Sequence, residues 1–407
     1  MEAQEQYLQQ DANKIAQKTI YTILFTISFT HLINDLIQSV IPSLYPLIKQ
    51  NFNLTYAQIG LITLTYQLTA SILQPFIGSY TDKKPKPFSL VIGMSSTTVG
   101  LILLAFSNTF AQLLLSVSFV GIGSSIFHPE SSRVAHMASG GKKGLAQSIF
   151  QLGGNTGSAI GPLLAALIVI PHGQTHILWF TVIGVMGLII LTKIGKWYNN
   201  HLYLKKQTAK PIHDGSLKLS KGRITSALII LLVLIFSKYF YMASLTSYLT
   251  FFLIEKFNVS VQESQMYLFL FLAAIAIGTI IGGPLGDRFG RKYIIWISIL
   301  GAAPFTLLLP HVNLFWTAAL SLVIGVIIAS AFSAILVYAT DLLPGKVGMI
   351  AGLFFGFAFG MGGVGSALLG WLADKTDIFY VFNICSFLPL LGIITGFLPN
   401  IEPKKAQ

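Results

Sequence analysis

The amino-acid sequence predicts an all-α polytopic membrane protein, with twelve transmembrane helices in two six-helix halves. Three observations carry that expectation: a charge-poor composition, twelve apolar runs of spanning length, and a glycine–aspartate motif that recurs half a chain later. The 407 residues have a mean hydropathy of +0.72, with 54% hydrophobic and 10% charged side chains. A soluble domain carries roughly a quarter charged residues. The net charge of +12 would suit nucleic-acid binding in a soluble protein. In a membrane protein, basic residues gathered on one face mark the cytoplasmic side instead, and no nucleic-acid partner is expected. Cys385, the only cysteine, lies in an apolar run, which excludes an internal disulfide and suits a small core residue.

The apolar runs fall near 19–47, 55–80, 88–107, 110–136, 145–170, 176–197, 224–254, 262–285, 293–310, 313–340, 347–372 and 378–398. Each is near or above the roughly 20 residues a helix needs to cross the hydrocarbon, allowing for tilt. The first 18 residues are polar and of mixed charge, and the run that follows is too long for a signal-peptide core, so the N-terminus should be retained. The longest polar stretch, HLYLKKQTAKPIHDGSLKLSKGR, separates spans six and seven. The expected organisation is therefore an N-terminal segment 1–18, a six-helix half 19–198, a linker 199–222, a second half 223–398 and a tail 399–407.

The halves repeat. Gly78 and Asp82, followed by Lys83, match Gly283 and Asp287, followed by Arg288; the two aspartates lie 205 residues apart. Basic residues fix the orientation, since Lys83, Lys84, Lys86, Lys142, Lys143, Lys205, Lys206, Lys210, Arg288, Arg291 and Lys292 fall on one side, with Lys49, Lys256 and Lys375 opposite. The crowded side is cytoplasmic by the positive-inside rule, and it holds both termini and the linker. A reporter that is active only outside the cytoplasm, fused at Gln207, is expected to be silent. Activity there would overturn the orientation.

Polar residues inside the spans are the candidate site. On span one, His31, Asn34, Asp35 and Gln38 are spaced three or four apart and share one stripe, which needs a wet or protein-lined surface to face. Span four carries His128, Pro129, Glu130 and Arg133, the last two spaced for an intrahelical ion pair. That pair is either structural or a handler of substrate or protons, the usual role of intramembrane charge. On span five, Gly153, Gly157, Gly161 and Pro162 flatten one face for close helix approach, while Gln147, Gln151 and Asn155 form a polar stripe beside it. Span seven holds Lys238, with Tyr241 and Tyr248 at helical spacing.

Twelve spans, two parallel halves and a cytoplasmic linker resemble the major facilitator superfamily of transporters. The paired G-x-x-x-D-[RK] loops are similar to that superfamily's loop signature, complete in GPLGDRFGRK, whereas TDKKPKP in the first half carries prolines where the pattern has glycine and arginine. The resemblance implies that Gly78, Asp82, Gly283, Asp287 and Arg288 belong to a conformational latch. The glycines of span five resemble an exporter motif. Gly121 and Gly123 resemble a further antiporter signature, although Val117 stands where that signature has arginine. The strings HLINDLIQS, FHPESSRVAHMASGG, GLAQSIFQLGGN, LIFSKYFYMAS, SAFSAILVYATDLLPG and GLFFGFAFGMGG are similar to bacterial inner-membrane drug exporters of the superfamily that run on proton exchange.

That likeness implies proton-coupled efflux of phosphonate or other small anionic drugs, in a monomer whose partners are its substrate, protons and the lipid bilayer. In the superfamily, spans 1, 4, 7 and 10 line the central cavity, which the stripe on span one would then face. Asp35 would be the proton site, with Glu130 and His128 as further proton carriers. Lys238 would hold the anion beside Tyr241 and Tyr248, and His31, Asn34, Gln38, Arg133, Gln151 and Asn155 would complete the polar wall. The position 205 residues beyond Asp35 falls two residues from Lys238, so the two are equivalent charges of opposite sign. They form either a working pair or a static clamp between the halves. Protonation of Asp35 would free Lys238 for an anion, which by itself is the sign of co-transport, so uptake of organic anions by symport is the alternative. No H-E-x-x-H, Ser-His-Asp or nucleotide-binding signature occurs, and no soluble segment is long enough to house one. The chain is therefore not expected to be an enzyme; no cofactor or metal is expected, and the proton gradient is the energy source.

Overall fold

The structure is a computed structural model and describes residues 19–44, 48, 51–54, 56–169, 171–208, 219–259 and 261–401. The segment 1–18, the centre of the linker at 209–218 and the tail beyond 401 lie outside the described residues, as do the expectations made for them. The helices are α1 (Tyr21–Ser43), α2 (Tyr56–Lys83), α3 (Ser89–Ala105), α4 (Phe110–Met137), α5 (Lys143–Leu164) and α6 (Leu178–Thr208). The second set is α7 (Lys221–Phe257), α8 (Val261–Phe289), α9 (Arg291–His311), α10 (Leu314–Leu342), α11 (Val347–Lys375) and α12 (Ile378–Phe397), with short 3-10 stretches within α9 and a longer one, Leu388–Phe397, in α12.

Local chemistry sets several of the ends. Thr109 closes a capping box at the start of α4, its hydroxyl accepting from the Gln112 N–H while its own N–H reaches the Gln112 side chain. Asn313 and Asp377 accept from Trp316 N and Tyr380 N, capping α10 and α12. Pro75, Pro129 and Pro284 sit inside α2, α4 and α8. Among the described residues nine helices are both long and apolar enough to cross a membrane, and α3, with 17 residues, is a shorter apolar one. α2 and α5 are more polar because their polar residues point inward: Gln74, Gln147 and Ser148 are buried. Large apolar side chains such as Phe25, Phe76, Trp179, Phe315 and Trp371 are exposed instead, as expected of a surface whose solvent is lipid.

The chain forms two compact units, Met1–Lys218 with Pro344–Gly352, and Leu219–Leu343 with Leu353–Gln407. The first turn of α11 thus groups with the first unit. In the second unit Leu245, Leu249, Phe252, Phe271, Ile324 and Phe382 pack one core, into which Cys385 also falls.

In the first unit the glycine face of α5 lies against α1. A Cβ at Gly153 would meet the Ser28 carbonyl oxygen, one at Gly157 that of Leu32, and one at Gly161 the Ser39 hydroxyl. Backbone carbonyls cannot retreat as a flexible side chain can. Gly157→Leu is therefore expected to force the two helices apart, at a cost of at least the ~1–3 kcal/mol typical of overpacking, and to stop transport while the protein still reaches the membrane. Wild-type transport by a normally expressed variant would show that the face is not tightly packed. Beyond this face α5 runs into a single π turn at Ala165–Val169, and the Pro162 side chain lies outside what is described.

Candidate functional site

The polar stripe of α1 meets α4 and α5 within the first unit. Asp35, with its side chain 14% exposed, stands between two buried imidazoles: His31 Nε2 lies 3.3 Å from Oδ2 and His128 Nε2 lies 3.5 Å from Oδ1. Each ring is fixed from its other nitrogen. His31 Nδ1 is 2.8 Å from the Phe150 carbonyl oxygen, and His128 Nδ1 is 3.0 Å from that of Ser124. The His31 ring also stacks on Phe150, with centroids 4.0 Å apart. Asn34 donates its amide to Asp35 Oδ1 at 3.0 Å, and Gln38 Oε1 accepts from Tyr66 at 2.7 Å and from Ser124 at 3.0 Å. A Cβ at Gly154 would lie within 2.7 Å of Asp35 Oδ2 and strike the His31 ring, so bare backbone lets α5 close over the trio.

His31, Asp35 and His128 are the one trio of His, Cys, Asp or Glu among the described residues whose side-chain atoms converge, all within 4.8 Å of one another. Such a trio can hold protons or a metal ion. The polar residues of α5 lie alongside: Gln151 is buried, Asn155 is half-buried, and Gln147 accepts from Ser132 at 3.0 Å.

A second buried cluster occupies the end of α2 and α4. Glu130, fully buried, accepts from Thr81 at 2.6 Å, Ser89 at 2.7 Å and Arg133 at 2.5 Å. Arg133 also reaches Asp82 at 2.6 Å and donates to the Gly78 carbonyl at 3.2 Å. Asp82 accepts from the Gly348 and Met349 N–H groups at 2.9 and 2.8 Å, at the start of α11, where the helix dipole favours an anion. Gly78 has the Gly348 carbonyl directly against it, leaving no room for a Cβ. In the second unit the arrangement is analogous but the cation comes from elsewhere. Arg291, at the start of α9, reaches Asp341 on α10 at 2.5 Å and Asp287 on α8 at 3.4 Å. Lys86 stands 205 residues before Arg291, between two prolines, and the cation that reaches Asp82 is instead Arg133 of α4. Arg288 lies 5.1 Å from the Phe289 ring, and Gly283 is buried beside the second loop. Arg133→Leu is expected to destabilise the protein by about 3–5 kcal/mol, because it strands a buried carboxylate. The melting temperature of purified protein measures this, and an unchanged value would show that the charges contribute nothing.

Lys238 on α7 is 4% exposed, with Nζ 5.3 Å from the centroid of Tyr239 and 5.4 Å from that of Phe332. Of the tyrosines expected beside it, Tyr241 belongs to the apolar core and Tyr248 donates its hydroxyl to the Ser366 carbonyl at 2.6 Å. Sequence reasoning passed over Tyr239 and Phe332, although Tyr239 is the immediate neighbour of Lys238.

Comparison with known proteins agrees with this architecture. The chain is 57% identical over 360 residues to the fosmidomycin resistance protein of Escherichia coli, covering 88% of each. It is 41% identical over 357 residues to an uncharacterized MFS-type transporter of Bacillus subtilis, covering 88% of this chain and 87% of the relative. Among solved structures, the E. coli fucose:proton symporter FucP superposes with a TM-score of 0.72 at 14% identity, over 94% of this chain and all of that one. The human organic anion transporter MFSD10 does so with the same score, identity and coverage. At that identity these two report the fold alone. Residues 27–256 and 227–407 match the family profile described as Major Facilitator Superfamily, and the chain is a multi-pass membrane transporter belonging to that superfamily.

Proposed function

We propose that the chain exports small anionic drugs, fosmidomycin-like phosphonates among them, across the bacterial inner membrane in exchange for protons. It does so by alternating access, with both termini cytoplasmic and no cofactor. The observation that carries the reading is an intramembrane carboxylate held between two buried imidazoles, in a chain 57% identical to a fosmidomycin resistance protein. An isolated charge deep in a membrane helix costs roughly 2.5–3.5 kcal/mol on insertion scales, so a carboxylate kept there has a use. Asp35, with His128, carries the proton. Lys238, the buried cation of α7, takes the anionic group of the substrate by charge-assisted hydrogen bonds. Asn34, Gln38, Gln151 and Asn155 supply the polar wall.

Glu130 and Arg133 have fuller employment in the latch: every oxygen of Glu130 already accepts a hydrogen bond, which suits a fixed ion better than a proton carrier. Asp82 and Asp287 hold the loop ends that break and re-form between states.

Expression in a fosmidomycin-sensitive bacterium tests the substrate. Cells with the protein in their membrane are expected to survive higher fosmidomycin concentrations and to retain less drug. Unchanged susceptibility at confirmed membrane expression would contradict the reading.

A further inference from the structure

Resting on proton-driven export, we propose that His31, Asp35 and His128 form a site for two protons, one on each line between an imidazole Nε2 and a carboxylate oxygen. The argument is one of donors and acceptors. A carbonyl oxygen offers only lone pairs, so the Nδ1 of each ring, set against the carbonyl of Phe150 or Ser124, carries a hydrogen. In a neutral imidazole the other nitrogen is then bare. Both bare nitrogens face Asp35, and they face different oxygens of it, 3.3 and 3.5 Å away. Without protons three electron-rich groups converge on one point. One proton satisfies one line and leaves the other repulsive; two satisfy both. The trio thus passes from a net charge of −1 when empty to +1 when full.

Among the described residues, the polar groups set against Asp35 are the two imidazoles and one amide. The partner from α1 is Asn34, whose amide donates to Oδ1. From α4 come Ser124, 3.3 Å from His128 Nδ1, and the Phe127 ring, 5.8 Å from that of His31. The titratable group of α2 is Tyr66, linked to His128 through Gln38 and Ser124, and α5 contributes Phe150 and Gly154. The nearest arginine on α4, Arg133, is committed to Glu130 and Asp82. Asn34 can steady the carboxylate, but the charge must be balanced by protons. His31 is therefore a proton carrier equal to His128.

The full protein in liposomes tests the count. With the membrane potential clamped at zero and fosmidomycin as the probe, the pH difference that halts net drug flux against a tenfold drug gradient is measured. Two protons per drug balance that gradient with about half a pH unit, and one proton needs about a full unit, since a pH unit and a tenfold concentration ratio carry the same free energy. Wild type is expected to balance near half a unit, and His31→Gln and His128→Gln near one. A wild-type balance near one unit overturns the proposal, as do histidine variants that still balance near half a unit. So does a stoichiometric divalent metal retained by purified wild type and lost from both variants, because the metal would then occupy the place of the protons. If a variant fails to reach the membrane, the wild-type count decides alone. Absence of any pH-driven drug flux by wild type is a separate result, which removes the export reading itself.

Discussion

Asp35→Asn is expected to abolish uphill drug efflux while leaving the protein folded and in the membrane. Asparagine matches the aspartate in size and can still accept from the Asn34 amide. It cannot ionise, so it neither attracts protons onto His31 and His128 nor completes a charge cycle. The effect should be complete for accumulation against a gradient, because coupling is lost rather than weakened, whereas exchange of drug down its own gradient should persist. Drug accumulation in vesicles at matched protein levels measures both. Normal gradient-driven efflux by the variant would remove Asp35 from the mechanism.

The second large effect is at Lys238. Its ammonium is buried and lies near two aromatic rings, a setting that strengthens any contact it makes with an anion. A hydrogen bond to a charged group is worth ~1.5–3 kcal/mol, so Lys238→Ala should weaken binding of an anionic drug by about 10–100-fold. Binding of an uncharged substrate should change far less. The charge exchange, Asp35→Lys with Lys238→Asp, separates a working residue from a static clamp. A clamp is indifferent to which side carries which sign, so the exchange would recover most resistance. A proton carrier and an anion binder are tied to their own neighbours, and moving Asp35 away from His31 and His128 destroys the proton site. The exchanged protein is expected to be inserted and inactive; strong recovery of resistance would leave only the clamp.

Much of this architecture was readable in the sequence, because helix period and hydrocarbon thickness are strong local constraints. The one-sided stripe of His31, Asn34, Asp35 and Gln38, the flat face of Gly153, Gly157 and Gly161, and the spacing of Glu130 and Arg133 follow from 3.6 residues per turn. What the period leaves open is which neighbour a face meets. Among formal charges, the repeat offset sets Lys238 against Asp35. Within its own unit the carboxylate is met by His31 and His128, which formal charge counting at neutral pH passes over. The latch shows the same limit. The lysines and prolines after Asp82 are plain in the sequence, but the cation that reaches Asp82 is Arg133, about fifty residues away and on α4. Tyr241 and Tyr248 share helical spacing with Lys238, yet that alignment did not reveal that one packs in the core and the other bonds Ser366.

The central claim is that drug and protons move in opposite directions, and everted membrane vesicles test it directly. Their interior corresponds to the outside of the cell. Acidifying that interior, with drug initially equal on both sides, is expected to drive fosmidomycin into vesicles carrying the wild-type chain, and collapsing the pH difference should release it. Drug leaving the vesicles on acidification would mean co-transport of protons and substrate in the same direction, and would contradict the account.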